Sequence, residues 1–143
     1  MKKLSVIYWS GTGNTQMMAS AISKAASEEG LEVNVMSVDK ADKNAVLDAD
    51  IVAFGCPSMG AEQLEEAEME PFISEIEQEN IAGKPMALFG SYEWGDGQWM
   101  ADWEDRMKKA GVNLIDKGLI IQSTPDNDGL ERCEELGKKL ASY

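Results

Sequence analysis

A doubly wound α/β sheet of five parallel strands is the fold class this sequence predicts, and three observations predict it. Five strand-length apolar runs recur along the 143 residues, and helix-period segments separate them. The runs are also nearly continuous rather than alternating, the pattern of strands whose two sheet faces are both covered. Strict alternation of strand and helix implies right-handed βαβ units. Five strands then suit the order 2-1-3-4-5 with helices on both faces.

The first run, Leu4-Ser5-Val6-Ile7-Tyr8-Trp9, leads through a turn of glycines and hydroxyl residues into a helix-like stretch from Gln16 to Glu29. Met18, Ile22 and Ala25 mark its inner face, and Gly30 suits its C-cap. Leu31 to Val38 reads as the second strand, and Lys40 to Asp48 as a short crossover helix. Ile51 to Gly55 reads as the third strand. Pro71 then opens a helix whose inner face is Phe72, Ile73 and Ile76. Met86 to Gly90 is the fourth strand, and Met100, Trp103 and Met107 mark the helix after it. Trp99 and Trp103, at helical spacing there, read as packing residues. Val112 to Ile121 is expected to form the fifth strand, and Leu130, Cys133, Leu136 and Leu140 the face of the last helix.

Length and composition predict one domain, residues 1–143, with no linker. No run approaches the roughly 18 apolar residues of a membrane span, and Met1-Lys2-Lys3 precedes only a strand-length run, so the chain reads as cytoplasmic. Two cysteines, Cys56 and Cys133, read as buried thiols rather than a disulfide. The chain has no histidine and no cysteine cluster with metal spacing, which argues against imidazole acid–base chemistry and zinc or haem sites. A net charge of −13 makes nucleic acid and anionic membranes poor partners. The acids crowd two segments: Glu62, Glu65, Glu66, Glu68, Glu70, Glu75, Glu77 and Glu79, then Glu93, Asp96, Asp102, Glu104 and Asp105. Part of this is a solvated helix face, and part suits docking of basic partners.

In sheets of this order, ligands bind beyond the carboxyl ends of the strands, between the first and third. The loops due there are Ser10 to Thr15, Cys56 to Glu66 and Ser91 to Gln98. The first, Ser10-Gly11-Thr12-Gly13-Asn14-Thr15, offers backbone N–H groups, side-chain oxygens and the positive end of a helix dipole, which together suit an anion. It has no lysine to reach the terminal phosphate of a nucleoside triphosphate. Gln16 stands where a dinucleotide fold needs its third glycine. Neutral donors alone suit a compact monophosphate.

The second loop reads Cys56-Pro57-Ser58-Met59-Gly60-Ala61-Glu62 and the third Phe89-Gly90-Ser91-Tyr92-Glu93-Trp94-Gly95-Asp96-Gly97. With the first loop they resemble the flavodoxins, specifically the short-chain kind of anaerobic bacteria. The resemblance spans essentially the whole chain. It includes the Glu-Glu run after the second loop, Glu70-Pro71-Phe72 and the helix from Trp99 to Met107. It implies a flavodoxin-like fold and a low-potential one-electron carrier with non-covalently bound FMN. The phosphate would sit on Ser10, Thr12, Asn14 and Thr15 with the amides of that loop, including Gly11 and Gly13. The isoalloxazine ring would lie between Met59 and Trp94, in the loop that also holds Pro57, Ser58 and Ala61. Glu62 would share a hydrogen bond with the ring's N3–H. Ser91 and the backbone of Tyr92, Glu93, Trp94 and Gly95 would line the ribityl chain and the pyrimidine edge.

The resemblance also implies shuttling between neutral semiquinone and anionic hydroquinone. Gly60 would let the Met59-Gly60-Ala61 turn present a carbonyl to N5–H, and nearby carboxylates would oppose the second electron. Two positions depart from the family pattern. Glu93 stands where many members have glycine, so it is either strained or an added charge. Ala61 stands where a polar or acidic residue is frequent. The implied partners are donor and acceptor redox proteins with basic docking surfaces, and the charge favours a monomer. The alternative is an FMN-dependent reductase, or a ribonucleotide-reductase activator, on the same fold. The chain has no extra segment to build a reductase's second substrate pocket. A receiver domain would need an acidic pair after the first strand, and a low-molecular-weight tyrosine phosphatase a Cys-x5-Arg loop there.

Overall fold

The computed structural model describes residues 2–143. β1 (Lys3–Tyr8) lies next to the sheet edge, paired in parallel with β2 (Glu32–Ser37) on one side and β3 (Ile51–Gly55) on the other. β4 (Pro85–Tyr92) follows β3, and β5 (Asn113–Leu114) and β6 (Leu119–Gln122) both pair with β4, again in parallel. The order is thus 2-1-3-4 with the fifth position shared by two short strands. The helices are α1 (Asn14–Glu28), α2 (Lys43–Leu47), α3 (Met69–Glu77), α4 (Gln98–Lys109) and α5 (Asn127–Ala141).

Side chains of successive strand residues point to opposite faces, so each central strand feeds two cores. Leu4 and Val6 of β1, Ala53 of β3, and Ala87 and Phe89 of β4 join Met18 and Ile22 of α1 and Cys133, Leu136 and Leu140 of α5. Ile7, Val52, Phe54, Met86 and Leu88 join the opposite core with Met69, Phe72, Ile73 and Ile76 of α3 and Trp99, Trp103 and Met107 of α4. Trp99 and Trp103 are almost fully buried, the packing role their spacing predicts. Burying an aromatic or aliphatic side chain of this kind contributes about 1.5–3 kcal/mol each.

Two expectations need correction. The fifth strand is not one run from Val112 to Ile121, because the chain leaves the ladder between β5 and β6. Asp116 pairs with Lys139 of α5 at 3.1 Å, and the Gly118 N–H donates to Glu104 of α4 at 2.7 Å instead of to a strand. Nor is β2 covered on both faces. It is the sheet edge, and Glu32, Asn34 and Val35 are exposed.

The register places the loops. Tyr8 of β1 stands opposite Gly55 of β3, and Gly55 opposite Phe89 of β4, so these strands deliver their next residues side by side. At Gly90 the approach is so close that a Cβ would lie 2.1 Å from the Cys56 carbonyl oxygen. That same oxygen accepts from the Trp99 indole N–H at 3.1 Å, which locks α4 to the end of β3.

Candidate cofactor site

Three loops meet at the carboxyl end of the sheet around a cavity of about 240 Å³. Gly11 and Thr12 line it from the loop before α1, Pro57, Ser58 and Met59 from the loop after β3, and Ser91 to Trp94 from the end of β4. Trp9 lines it as well. The sequence assigned Trp9 to the first strand, but β1 ends at Tyr8. The Trp9 indole N–H donates to Glu68 just before α3, at 3.1 Å.

The loop before α1 is wrapped around Ser10. Its hydroxyl oxygen accepts from the N–H of Gly13 at 3.1 Å and of Gln16 at 3.3 Å, and Thr12 Oγ1 accepts from Asn14 N–H at 3.4 Å. Among the described residues the amides of Gly11, Thr12 and Thr15 have no protein acceptor. Such donors at a helix start need an external partner, and an anion supplies one. Thr15 is buried, and its hydroxyl meets that of Ser91 at 2.8 Å, fixing this loop to β4.

The loop after β3 is a tight hairpin. Met59 and Gln63 exchange both backbone hydrogen bonds at 2.9 Å, closing the turn Gly60-Ala61-Glu62. Gly60 has φ +49° and Glu62 φ +52°, the left-handed region that glycine enters freely and other residues at a cost. Ala61 is exposed in this turn. The Ser58 N–H donates to the Ser91 carbonyl at 3.0 Å, which ties the hairpin to β4. The Glu62 carboxylate lies against Gly95 and accepts from the Gln98 N–H of α4 at 3.3 Å. Trp94 is 61% exposed, and it lines the same cavity as Met59.

Glu93 does not adopt a positive φ, so of its two alternatives the added charge holds. Its Oε1 accepts from Asn14 Nδ2 at 3.4 Å and its Oε2 from Ser123 Oγ at 2.8 Å. The carboxylate therefore faces the loop before α1 as well as the segment after β6.

Several acids of the crowded segments are tied into the fold by hydrogen bonds and ion pairs. Glu65 is buried, and its carboxylate accepts from the N–H groups of Ala67, Glu68 and Met69 at 2.6–2.9 Å, capping α3. Arg106 of α4 binds both oxygens of Glu70 at 2.7 Å and also Glu77. Cys56 and Cys133 are free and buried, as the sequence predicts, and burial pushes both thiols up to about 12. No metal-binding group of histidine, cysteine and acidic side chains occurs among the described residues.

A doubly wound sheet whose first strand feeds an amide-rich helix start, with an apolar cleft closed by two further strand-end loops, defines a mononucleotide-binding protein. The Flavodoxin family model matches residues 6–137. The chain is 48% identical over 139 residues to a flavodoxin of Clostridium beijerinckii, covering 97% of this chain and 99% of the relative. It is 38% identical over 136 residues to a flavodoxin of Megasphaera elsdenii, covering 95% and 96%. The solution structure of two-electron reduced Megasphaera elsdenii flavodoxin superposes with a TM-score of 0.90 at 37% identity, covering 98% of this chain and 99% of that one. The chain belongs to the flavodoxin family. It is an electron carrier that works with FMN and passes electrons to redox partners, rather than an enzyme converting a substrate of its own.

Proposed function

We propose that this chain is a low-potential carrier that passes electrons one at a time between redox proteins, working as a single domain over residues 1–143. The observation that carries the reading is the shared cavity of Met59 and Trp94, which Gly11 and Thr12 of the anion-suited loop also line. The chemistry fits FMN: neutral donors for a phosphate, and a thioether and an indole for a flat ring. When bound, FMN supplies chemistry in which electrons enter singly or in pairs.

In this reading Ser10, Thr12, Asn14 and Thr15, with the amides of Gly11 and Gly13, hold the phosphate. Met59 and Trp94 would flank the ring, with Pro57 and Ser58 beside Met59 in the cavity and Gly60 and Ala61 in the turn behind it. Glu62, held beside Gly95 and the Gln98 N–H, would share a hydrogen bond with the ring's N3–H, and Ser91, Tyr92, Glu93, Trp94 and Gly95 would line the ribityl side. Thr15 and Ser91 act partly through one another, since their hydroxyls are already paired. Gly60, at φ +49°, would let the hairpin turn a backbone carbonyl toward the ring edge, a hydrogen bond worth about 0.5–1.5 kcal/mol.

Carboxylates near the cleft would oppose the negative charge that a second electron brings to the ring. One roughly 12 Å away, at an effective dielectric of about 40, adds about 0.7 kcal/mol. That is on the order of 30 mV for one electron. Burial between apolar walls acts in the same direction.

The net charge of −13 supports basic docking surfaces on the partners and a monomeric carrier. Large apolar side chains exposed among the described residues are scattered, at Met17, Val35, Trp94 and Tyr143. No helix among the described residues is long and apolar enough to cross a membrane. The two free thiols support a reducing, cytoplasmic location.

The test is titration of the apoprotein with FMN, followed by flavin fluorescence. One equivalent should bind with strong quenching, and Trp94→Ala should bind more weakly with less quenching. Absence of saturable binding would overturn the site.

A further inference from the structure

We propose that Glu93 sets how strongly this site prefers FMN over riboflavin, by holding a carboxylate against the loop that receives the phosphate. The proposal rests on the reading of the cleft as an FMN site and adds a selectivity device to it.

The carboxylate is not free to swing away. Ser123 Oγ donates to Oε2 at 2.8 Å, the Gln122 side chain donates to the Glu93 carbonyl at 3.1 Å, and Asn14 Nδ2 donates to Oε1 at 3.4 Å. Ser123 sits at φ +60°, a left-handed conformation that a non-glycine residue adopts only at a cost. The segment after β6 holds that conformation where its hydroxyl reaches Glu93. Two elements beside β4, the start of α1 and the end of β6, therefore converge on Glu93, an exposed acid.

The charge arithmetic of the cleft gives this convergence its effect. The loop from Ser10 to Thr15 contains no basic residue. Among the described residues lining the cavity, Glu93 is the only one with a formal charge. A bound phosphate monoester carries about −1.5 to −2 near neutral pH. It thus binds through neutral donors and the α1 dipole while a like charge is held nearby. Glu93 also occupies the side-chain amide of Asn14, a donor the phosphate could otherwise use. Riboflavin carries neither the phosphate nor its charge, so the penalty falls on FMN alone.

The experiment measures the dissociation constants of FMN and riboflavin for the apoprotein, Glu93→Gln and Glu93→Ala, at low and high ionic strength. Removing the charge should raise the ratio of FMN to riboflavin affinity on the order of tenfold at low salt in both variants. The gain should shrink at high salt, as an electrostatic effect must. A purely structural clasp would shift both ligands together and without salt dependence. An unchanged ratio in both variants, or a ratio that falls, overturns the proposal while leaving the FMN site standing. If the parent protein binds neither ligand, the site itself falls and the proposal with it.

Discussion

The side-chain oxygens of Thr15 and Ser91 lie 2.8 Å apart in a buried seam, joining the first turn of α1 to the end of β4. This bond makes two of the three loops a single unit before any ligand arrives, because each hydroxyl is the other's partner. Thr15→Val keeps the shape but strands the Ser91 hydroxyl, at a cost of about 1–3 kcal/mol. Urea unfolding of the apoprotein should show that loss, and Thr15→Ser, which keeps the hydroxyl, should recover most of it. Equal stability of all three proteins would mean that the seam contributes nothing.

Gly60 holds the hairpin after β3 in a left-handed conformation. Gly60→Ala should cost about 1 kcal/mol in that conformation. It should also narrow the gap between the two one-electron potentials of the bound flavin, because the strained turn presents its carbonyl less readily. Spectroelectrochemistry checks this, with parent-like potentials as the contrary result.

Arg106 holds the Glu70 carboxyl below the usual carboxylate range by hydrogen bonding to it, with partial burial pulling the other way. The folded value thus lies below the unfolded one, near 4.3. The contribution is therefore complete above the unfolded value and is lost as the pH falls through the folded one. Arg106→Leu should lower stability near neutral pH by about 1 kcal/mol, since both partners are partly exposed. The difference from the parent should fade in strongly acidic solution. A pH-independent difference would assign the effect to packing.

The buried thiols give a simple chemical check. With Cys56 and Cys133 held near 12 by desolvation, neither should react with a disulfide reagent in the native protein at mildly alkaline pH. Both should react once guanidinium unfolds the chain. Rapid native reaction at either would show that its cover opens readily.

What was legible in the sequence follows the reach of its local signals. β1, β3 and β4 read clearly because both faces are buried and the runs are almost continuously apolar. The fifth strand misread because Ile115 and Leu119 flank Asp116-Lys117-Gly118 and extend the apolar run. The contacts that pull this stretch from the ladder come from α4 and α5. Trp9 passed for the last residue of a strand, when its side chain instead forms a wall of the cleft. Glu65 reads like every acid around it, since only folding brings its carboxylate onto the amides of Ala67, Glu68 and Met69 at the start of α3. The loop motifs carried the site, but the partner that fixes Glu93 stands thirty positions away and has no sequence signature.

The central claim is that this flavodoxin carries electrons singly, and stepwise anaerobic reduction of the FMN-loaded protein with dithionite tests it most directly. The yellow oxidised spectrum should give way to a long-wavelength band from half-reduced flavin, stable between two separate one-electron steps, before the solution bleaches. Bleaching directly to the fully reduced form, with no such band at any point of the titration, would contradict it.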